Sequence, residues 1–227
     1  MHSAISAPKD LLQHFRQTLP HAELLATQLP DVPTVSLWLV NPAIMDARLS
    51  EETIAAVFEE PAYWSFCWAS GQAMAAMILE QTDLVRDKVI VDFGTGSGIV
   101  AIAALMAGAK TVYASDLDEG ALLSVQANAA LNGFADDDRL VICRDCFSLA
   151  NSESVDMVMA ADVLYDWENK PLLEKFRQCF KKTLIADSRV RNFNEPGYEA
   201  IAVRRSVTFP DLGEFEEFKT VNFYQSL

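Results

Sequence analysis

Asp92, Gly94, Gly96 and Gly98 stand at alternate positions directly after the apolar run Val89-Ile-Val91, and this spacing is the first sign of chemistry in the chain. Glycine lets the backbone turn sharply and lets a ligand come close to it. The apolar run from Ile99 to Met106 then reads as a helix whose N-terminal amides face the same point. Such a βα turn suits a nucleoside. A G-x-G-x-x-G dinucleotide turn would need its last glycine at position 99, where the chain has Ile99, so a dinucleotide is disfavoured. Asp92, two residues before the first glycine, suits a cationic or amino-bearing ligand better than a pyrophosphate.

Two more acids follow at the intervals a nucleoside needs. Thr111–Ser115 is a short β-branched and aromatic strand that ends on Asp116, where a carboxylate can accept hydrogen bonds from both ribose hydroxyls. Leu140–Cys143 is a third strand leading to Asp145. An acid there can accept from an adenine amino group while the Cys146 amide donates to the ring. Farther on, Val155–Ala160 reads as the fourth strand and opens into Asp162-Val-Leu-Tyr165, beside the glycine turn at the switch point of a doubly wound sheet. The aromatic cluster Tyr63-Trp-Ser-Phe-Cys-Trp68 could wall a ligand or cage an ammonium, or it could simply be packing.

These residues have to be carried by an alternation of strands and helices. Residues 1 to about 30 read as one or two helices broken by Pro20 and Pro30. Thr34–Val40 follows as a strand, and a helix starts at Ser50 and ends before Pro61. A small-residue helix over Ala73–Glu80 precedes the glycine turn, and a second helix spans Glu119–Leu131 before Asn132-Gly133. An amphipathic helix is expected over Glu168–Phe180, a fifth strand over Thr183–Ala186, and a closing antiparallel hairpin from Ala200–Phe209 and Glu217–Tyr224. The fold class is therefore α/β, a Rossmann-like doubly wound sheet. Residues 1–60 form an N-terminal helical and strand extension, and residues 61–227 form the ligand-binding domain.

Asp92-x-Gly-x-Gly-x-Gly98 resembles motif I of the class I S-adenosylmethionine (SAM) dependent methyltransferases. In these proteins the acid faces the methionine part of the cofactor. Enzymes that methylate planar amide or base nitrogens resemble one another in an Asn/Asp-Pro-Pro-aromatic run after the fourth strand. Asp162-Val-Leu-Tyr165 lacks both prolines and resembles the lysine methyltransferases of the seven-β-strand family instead. The runs Tyr63–Ala73, Asp92–Gly98, Asp162–Tyr165 and Leu184–Arg189 together resemble the electron-transfer flavoprotein β-subunit lysine methyltransferases and their bacterial relatives, from about residue 30 onward. The resemblance implies a seven-stranded sheet, SAM as cofactor with S-adenosylhomocysteine (SAH) as product, and a protein lysine as acceptor. It puts Trp68, Asp92, Gly94, Gly96, Gly98 and Asp116 at the cofactor and Asp162 and Tyr165 at the acceptor, as catalytic residues. The chain departs from the family at Ala69-Ser70, at Leu164 and in the Ala186-Asp-Ser-Arg-Val190 loop.

Composition narrows the choice of partner. With 227 residues, 51% apolar, the chain can bury a large core, and no apolar run reaches the ~18 residues of a membrane span. The formal net charge of −14 repels phosphate backbones, which argues against nucleic acid, and it fits either a basic protein substrate or acidity that simply keeps the protein in solution. Cys67, Cys143, Cys146 and Cys179 suit reduced thiols, and the single C-x-x-C has no second pair and no neighbouring histidine, so no metal is expected. The expected location is the cytoplasm, or the mitochondrial matrix for a eukaryotic source. A small-molecule N- or O-methyltransferase and a non-catalytic SAM-binding regulatory protein remain as alternatives.

Overall fold

The computed structural model describes residues 6–46, 49–151, 155–164, 167–190 and 193–227. Nine strands and six α-helices occur among them: α1 (Lys9–Thr18), β1 (Leu24–Gln28), β2 (Ser36–Val40), α2 (Glu51–Glu59), α3 (Ala69–Glu80), β3 (Val89–Phe93), α4 (Ile99–Met106), β4 (Thr111–Ser115), α5 (Glu119–Leu131), β5 (Leu140–Cys143), β6 (Met157–Ala161), α6 (Leu172–Cys179), β7 (Thr183–Asp187), β8 (Tyr198–Arg205) and β9 (Thr220–Ser226). Seven strands form one sheet in the order β5-β4-β3-β6-β7-β9-β8. The first five run parallel, and β9 lies antiparallel between β7 and β8.

Alternation along the parallel strands feeds two cores. Ile90, Val112, Met159 and Leu184 pack on one side against α3 and α4, whose residues Ile99–Leu105 are all buried. Val91, Tyr113, Val158 and Ile185 face the other side, with Phe176 and Leu173 of α6. A strand buried on both faces reads as a continuous apolar run, which is how β3 and β6 appear in the sequence. The parallel crossovers run outward from β3 on one side and from β6 on the other. The β3/β6 junction is thus the switch point, and the glycine turn sits on it.

The N-terminal segment departs from expectation. Only α1 is helical. Leu24–Gln28 is a strand paired antiparallel with β2, from Leu24↔Val40 to Gln28↔Ser36. Leu-Leu-Ala-Thr-Gln has little strand preference of its own, so the pairing partner decides its conformation. Strand β2 is buried on both faces: Val35, Leu37 and Leu39 join the main core, while Trp38 and Val40 pack with α1 and α5. Asn128 of α5 fixes the register, its Oδ1 accepting from the Trp38 amide at 2.6 Å. Two helix starts also differ. α3 begins four residues before Ala73, and α6 begins at Leu172, after Pro171, because the residue before a proline is pushed out of the helical region. No helix among the described residues is long and apolar enough to cross a membrane.

Candidate functional site

At the end of β3 the chain passes through Gly94, Gly96 and Gly98 with φ of 65°, 50° and 79°, a region costly for residues with a Cβ. The amides of Gly94 and Thr95 donate to the Ser115 carbonyl at 2.9 and 3.1 Å, fastening the turn to the end of β4. Asp92 is 2% exposed, and its Oδ2 accepts from Thr95 Oγ1 at 2.6 Å and from the Ala101 amide at 3.0 Å. It therefore clamps the turn to the first turn of α4. Burial pushes its carboxyl up to about 7 despite these two hydrogen bonds, and the charge of Asp116 adds to the rise.

The three glycines have different neighbours. A Cβ on Gly94 would come within 2.9 Å of Val163 Cγ1, and one on Gly98 within 3.2 Å of the Val125 Cα. On Gly96 it would meet nothing nearer than 3.9 Å. Gly94 and Gly98 thus serve packing, whereas Gly96 borders open space, as a backbone approached by a ligand must.

Asp116 lies directly beyond β4, with Oδ2 accepting from the Gly96 amide at 3.0 Å and Oδ1 from the Asp118 amide at 3.1 Å. Burial raises its pKa. A carboxylate has about four acceptor sites, so capacity remains for hydroxyl donors. On the neighbouring strand end Asp145 is exposed, its Oδ1 accepting from the Phe147 amide at 2.9 Å, and Cys146 is buried with its thiol pushed up to about 12 by burial. Asp92, the glycines, Asp116, Asp145 and Cys146 are therefore gathered along one edge of the sheet, at the ends of β3, β4 and β5.

Asp162 follows β6 with φ 51°. Its Oδ2 accepts from the Ser70 amide at 2.9 Å. Its Oδ1 accepts from Ser70 Oγ at 2.6 Å, Ser188 Oγ at 2.9 Å and the Ser188 amide at 3.2 Å. Three donors thus crowd Oδ1, and Oδ2 takes one. They also explain the early start of α3, because Asp162 satisfies the Ser70 amide in the first turn and places a negative charge at the positive end of that helix. Beside it, Asp187 is fully buried and accepts from the amides of Arg189 and Val190, both at 2.7 Å. Burial, reinforced by the charge of Asp162, pushes it up to about 6. Tyr165 lies outside the described residues.

Trp68 occupies the N-cap position of α3, two residues before Ser70, and its indole Nε1 donates to the Tyr63 carbonyl at 2.9 Å. Ser70, Asp187, Ser188 and Arg189, which pairs with Glu214, take part in this constellation; the runs Tyr63–Ala73 and Leu184–Arg189 had marked all but Glu214, without assigning them a role.

A sheet in this order, with a glycine turn at the switch point and an acid at each neighbouring strand end, has the fold of the class I methyltransferases. Residues 71–172 match the family model described as ribosomal protein L11 methyltransferase (PrmA). The chain is 32% identical over 130 residues to the electron transfer flavoprotein beta subunit lysine methyltransferase of Rattus norvegicus, covering 55% of this chain and 50% of that protein. With the Danio rerio counterpart it shares 30% over 175 residues, 77% of this chain and 62% of the relative. Ribosomal protein L11 methyltransferase of Acinetobacter baumannii (strain AYE) is 53% identical over 58 residues, 26% of this chain and 19% of that one. The chain thus spans about half the length of the mammalian relatives it matches. Among solved structures, magnesium protoporphyrin IX methyltransferase from Synechocystis PCC 6803, determined with bound SAM, superposes with a TM-score of 0.51 at 16% identity, over 80% of this chain and 85% of that one. This likeness supports the fold.

Proposed function

We propose that the chain is a SAM-dependent methyltransferase that methylates a lysine amine on a protein. The observation that carries this reading is the glycine turn closing on Asp116 at the switch point, with open space over Gly96 and the Asp162 segment packed against Gly94. SAM supplies a methyl group made electrophilic by its sulfonium. Asp116 would hold the ribose, and Asp145 with the Cys146 amide would hold the adenine. Asp92, ionised once a positive charge lies nearby, would favour the methionine end. Trp68 would wall the same space. This donor set fits the group: short acceptors at the strand ends, a free glycine face and no requirement for a phosphate site.

On the acceptor side, Asp162 and Tyr165 are the residues assigned to the amine. Asp162 accepts from Ser70 and Ser188, so it works chiefly by holding the end of β6 to the start of α3 and the end of β7. A lysine amine near pKa 10.4 must shed its proton to attack, and burial at this strand end favours the neutral form. Positioning supplies the larger part of such a rate gain. The electron transfer flavoprotein and L11 relatives act, by their names, on proteins, and the net charge of −14 suits a basic partner.

The test is to incubate the purified protein and tritiated SAM with lysate from a strain lacking it, then identify the labelled band and residue by mass spectrometry. Label on lysine supports the proposal. Label on glutamine, a carboxylate, a base or a small molecule refutes the lysine assignment, and no label with SAM bound supports a regulatory SAM-binding protein.

A further inference from the structure

Arg189 sits in surroundings built for a cation. Its guanidinium carbon lies 4.3 Å from the centroid of the Phe218 ring and 5.7 Å from that of Trp68, and its NH2 group is ion-paired with Glu214. Aromatic faces and a carboxylate together attract any organic cation, an ammonium as well as a guanidinium. The cage also lies beside the Asp162 end of β6. Arg189 follows Ser188, and Trp68 precedes Ser70 by two residues, and both serines donate to Asp162.

We propose that Trp68, Phe218 and Glu214 form the entry site for the cationic side chain of the protein substrate, a site that Arg189 fills until the substrate displaces it. This rests on the lysine reading above. The side chain of Glu214 is only 11% exposed, and a carboxylate so placed is costly without a partner. That of Arg189 is 26% exposed and can swing into water. Replacing guanidinium by ammonium keeps Glu214 paired and both rings occupied, so the exchange creates no unpaired charge. A neutral acceptor, whether a glutamine amide or a hydroxyl, would displace Arg189 and leave Glu214 unpaired. The cage therefore selects a cationic side chain before the chemistry begins, which neither the glycine turn nor Asp162 can do.

The probe is n-butylammonium, which reproduces the end of a lysine side chain. Titrations would follow the Trp68 indole N–H resonance, assigned with Trp68→Phe, in the full chain with SAH bound. Arg189→Ala should give a saturable shift, with at least tenfold weaker binding in wild type and none in Arg189→Ala/Glu214→Gln. Unchanged SAH affinity of the Arg189 and Glu214 variants by calorimetry shows that they are folded. If Arg189→Ala does not fold, Arg189→Gln empties the charge from the cage and is titrated instead. No shift in the folded single variant, or equal binding in wild type and variant, overturns the proposal. With a labelled substrate protein, Arg189→Ala should lower KM severalfold and Glu214→Gln raise it, with kcat nearly constant, and a raised KM in Arg189→Ala also overturns it. Butylammonium binding without lysine labelling leaves the cage standing and removes the lysine reading. Lysine labelling without butylammonium binding does the reverse.

Discussion

Replacing Asp162 by Asn tests the acceptor loop most directly, because the hydrogen-bond geometry allows the cost to be worked out. Asn keeps one acceptor oxygen and turns the other into a donor. If its oxygen takes the Oδ2 position it still accepts from the Ser70 amide, and its NH2 faces Ser70 Oγ, Ser188 Oγ and the Ser188 amide. The hydroxyls can rotate to accept, but the amide cannot, so the Ser188 N–H is orphaned. In the flipped orientation the Ser188 amide is satisfied and the Ser70 N–H, in the first turn of α3, loses its partner. Either way one buried backbone donor goes unpaired and the charge at the helix N-terminus disappears, at about 1–3 kcal/mol. For a chain of this size that is a fall in Tm of roughly 2–12 °C. Calorimetric melting should show it, together with near wild-type SAH affinity, since no residue of the glycine turn or of the β4 end bonds to Asp162. Methyl transfer to the labelled substrate should fall strongly. Wild-type melting with wild-type transfer would refute the claim that Asp162 holds this loop. Lost SAH binding would place Asp162 at the cofactor instead.

Asp116→Ala should weaken SAH binding by about 1.5–3 kcal/mol through lost charge-assisted bonds, and wild-type affinity by calorimetry would remove the ribose assignment. Gly98→Ala should lower Tm more than Gly96→Ala, because both adopt left-handed backbone while only the former drives a Cβ to 3.2 Å from Val125. Gly96→Ala should instead lose SAH affinity, and unimpaired binding would mean that the open space over Gly96 is not the cofactor's. Stability to denaturant should fall as pH rises from about 4 to about 7. Asp92, raised from 3.8 to about 7, and Asp187, raised to about 6, hold protons in the folded state that the unfolded chain releases in that window. Asp92→Asn should flatten the decline over this interval, and an unchanged pH profile would contradict an ionisable buried Asp92.

How much the sequence reveals depends on whether a feature is local. Strands β3 to β5 and the helices between them follow from alternating apolar runs, glycine punctuation and an acid past each strand, so α4 and α5 fall on Ile99–Met106 and Glu119–Leu131 as expected. The proposed cofactor residues follow the same local pattern: Asp92 lies at the end of β3 with the glycines in the turn after it, Asp116 directly follows β4, and Asp145 and Cys146 lie just past β5. Strand β1 was not readable, because Leu24–Gln28 takes its conformation from β2, eight residues away. The start of α3 was hidden too. It depends on Asp162, 92 residues from Ser70, and no local cap marks it.

The same distinction separates the two halves of the proposed reaction. A cofactor common to many enzymes can be held by backbone amides and short acids at fixed strand ends, so its site leaves a pattern in one dimension. The proposed acceptor side draws on α3, the β6 and β7 ends and the 210–219 segment, four parts of the chain joined by Asp162 and by the Arg189–Glu214 pair. Loops of this kind carry substrate specificity on a rigid scaffold. The departures from the family pattern fall here: Ser70 donates to Asp162, and Asp187-Ser-Arg189 supplies the second pair of donors and the caged cation. Ser70 and Ser188 each bring a hydroxyl as well as an amide, which a glycine or proline at those positions could not. Ser70 and Ser188 thus build an Asp162 held by four donors. Substrate choice in this chain is accordingly sought in these residues and not in the glycine turn.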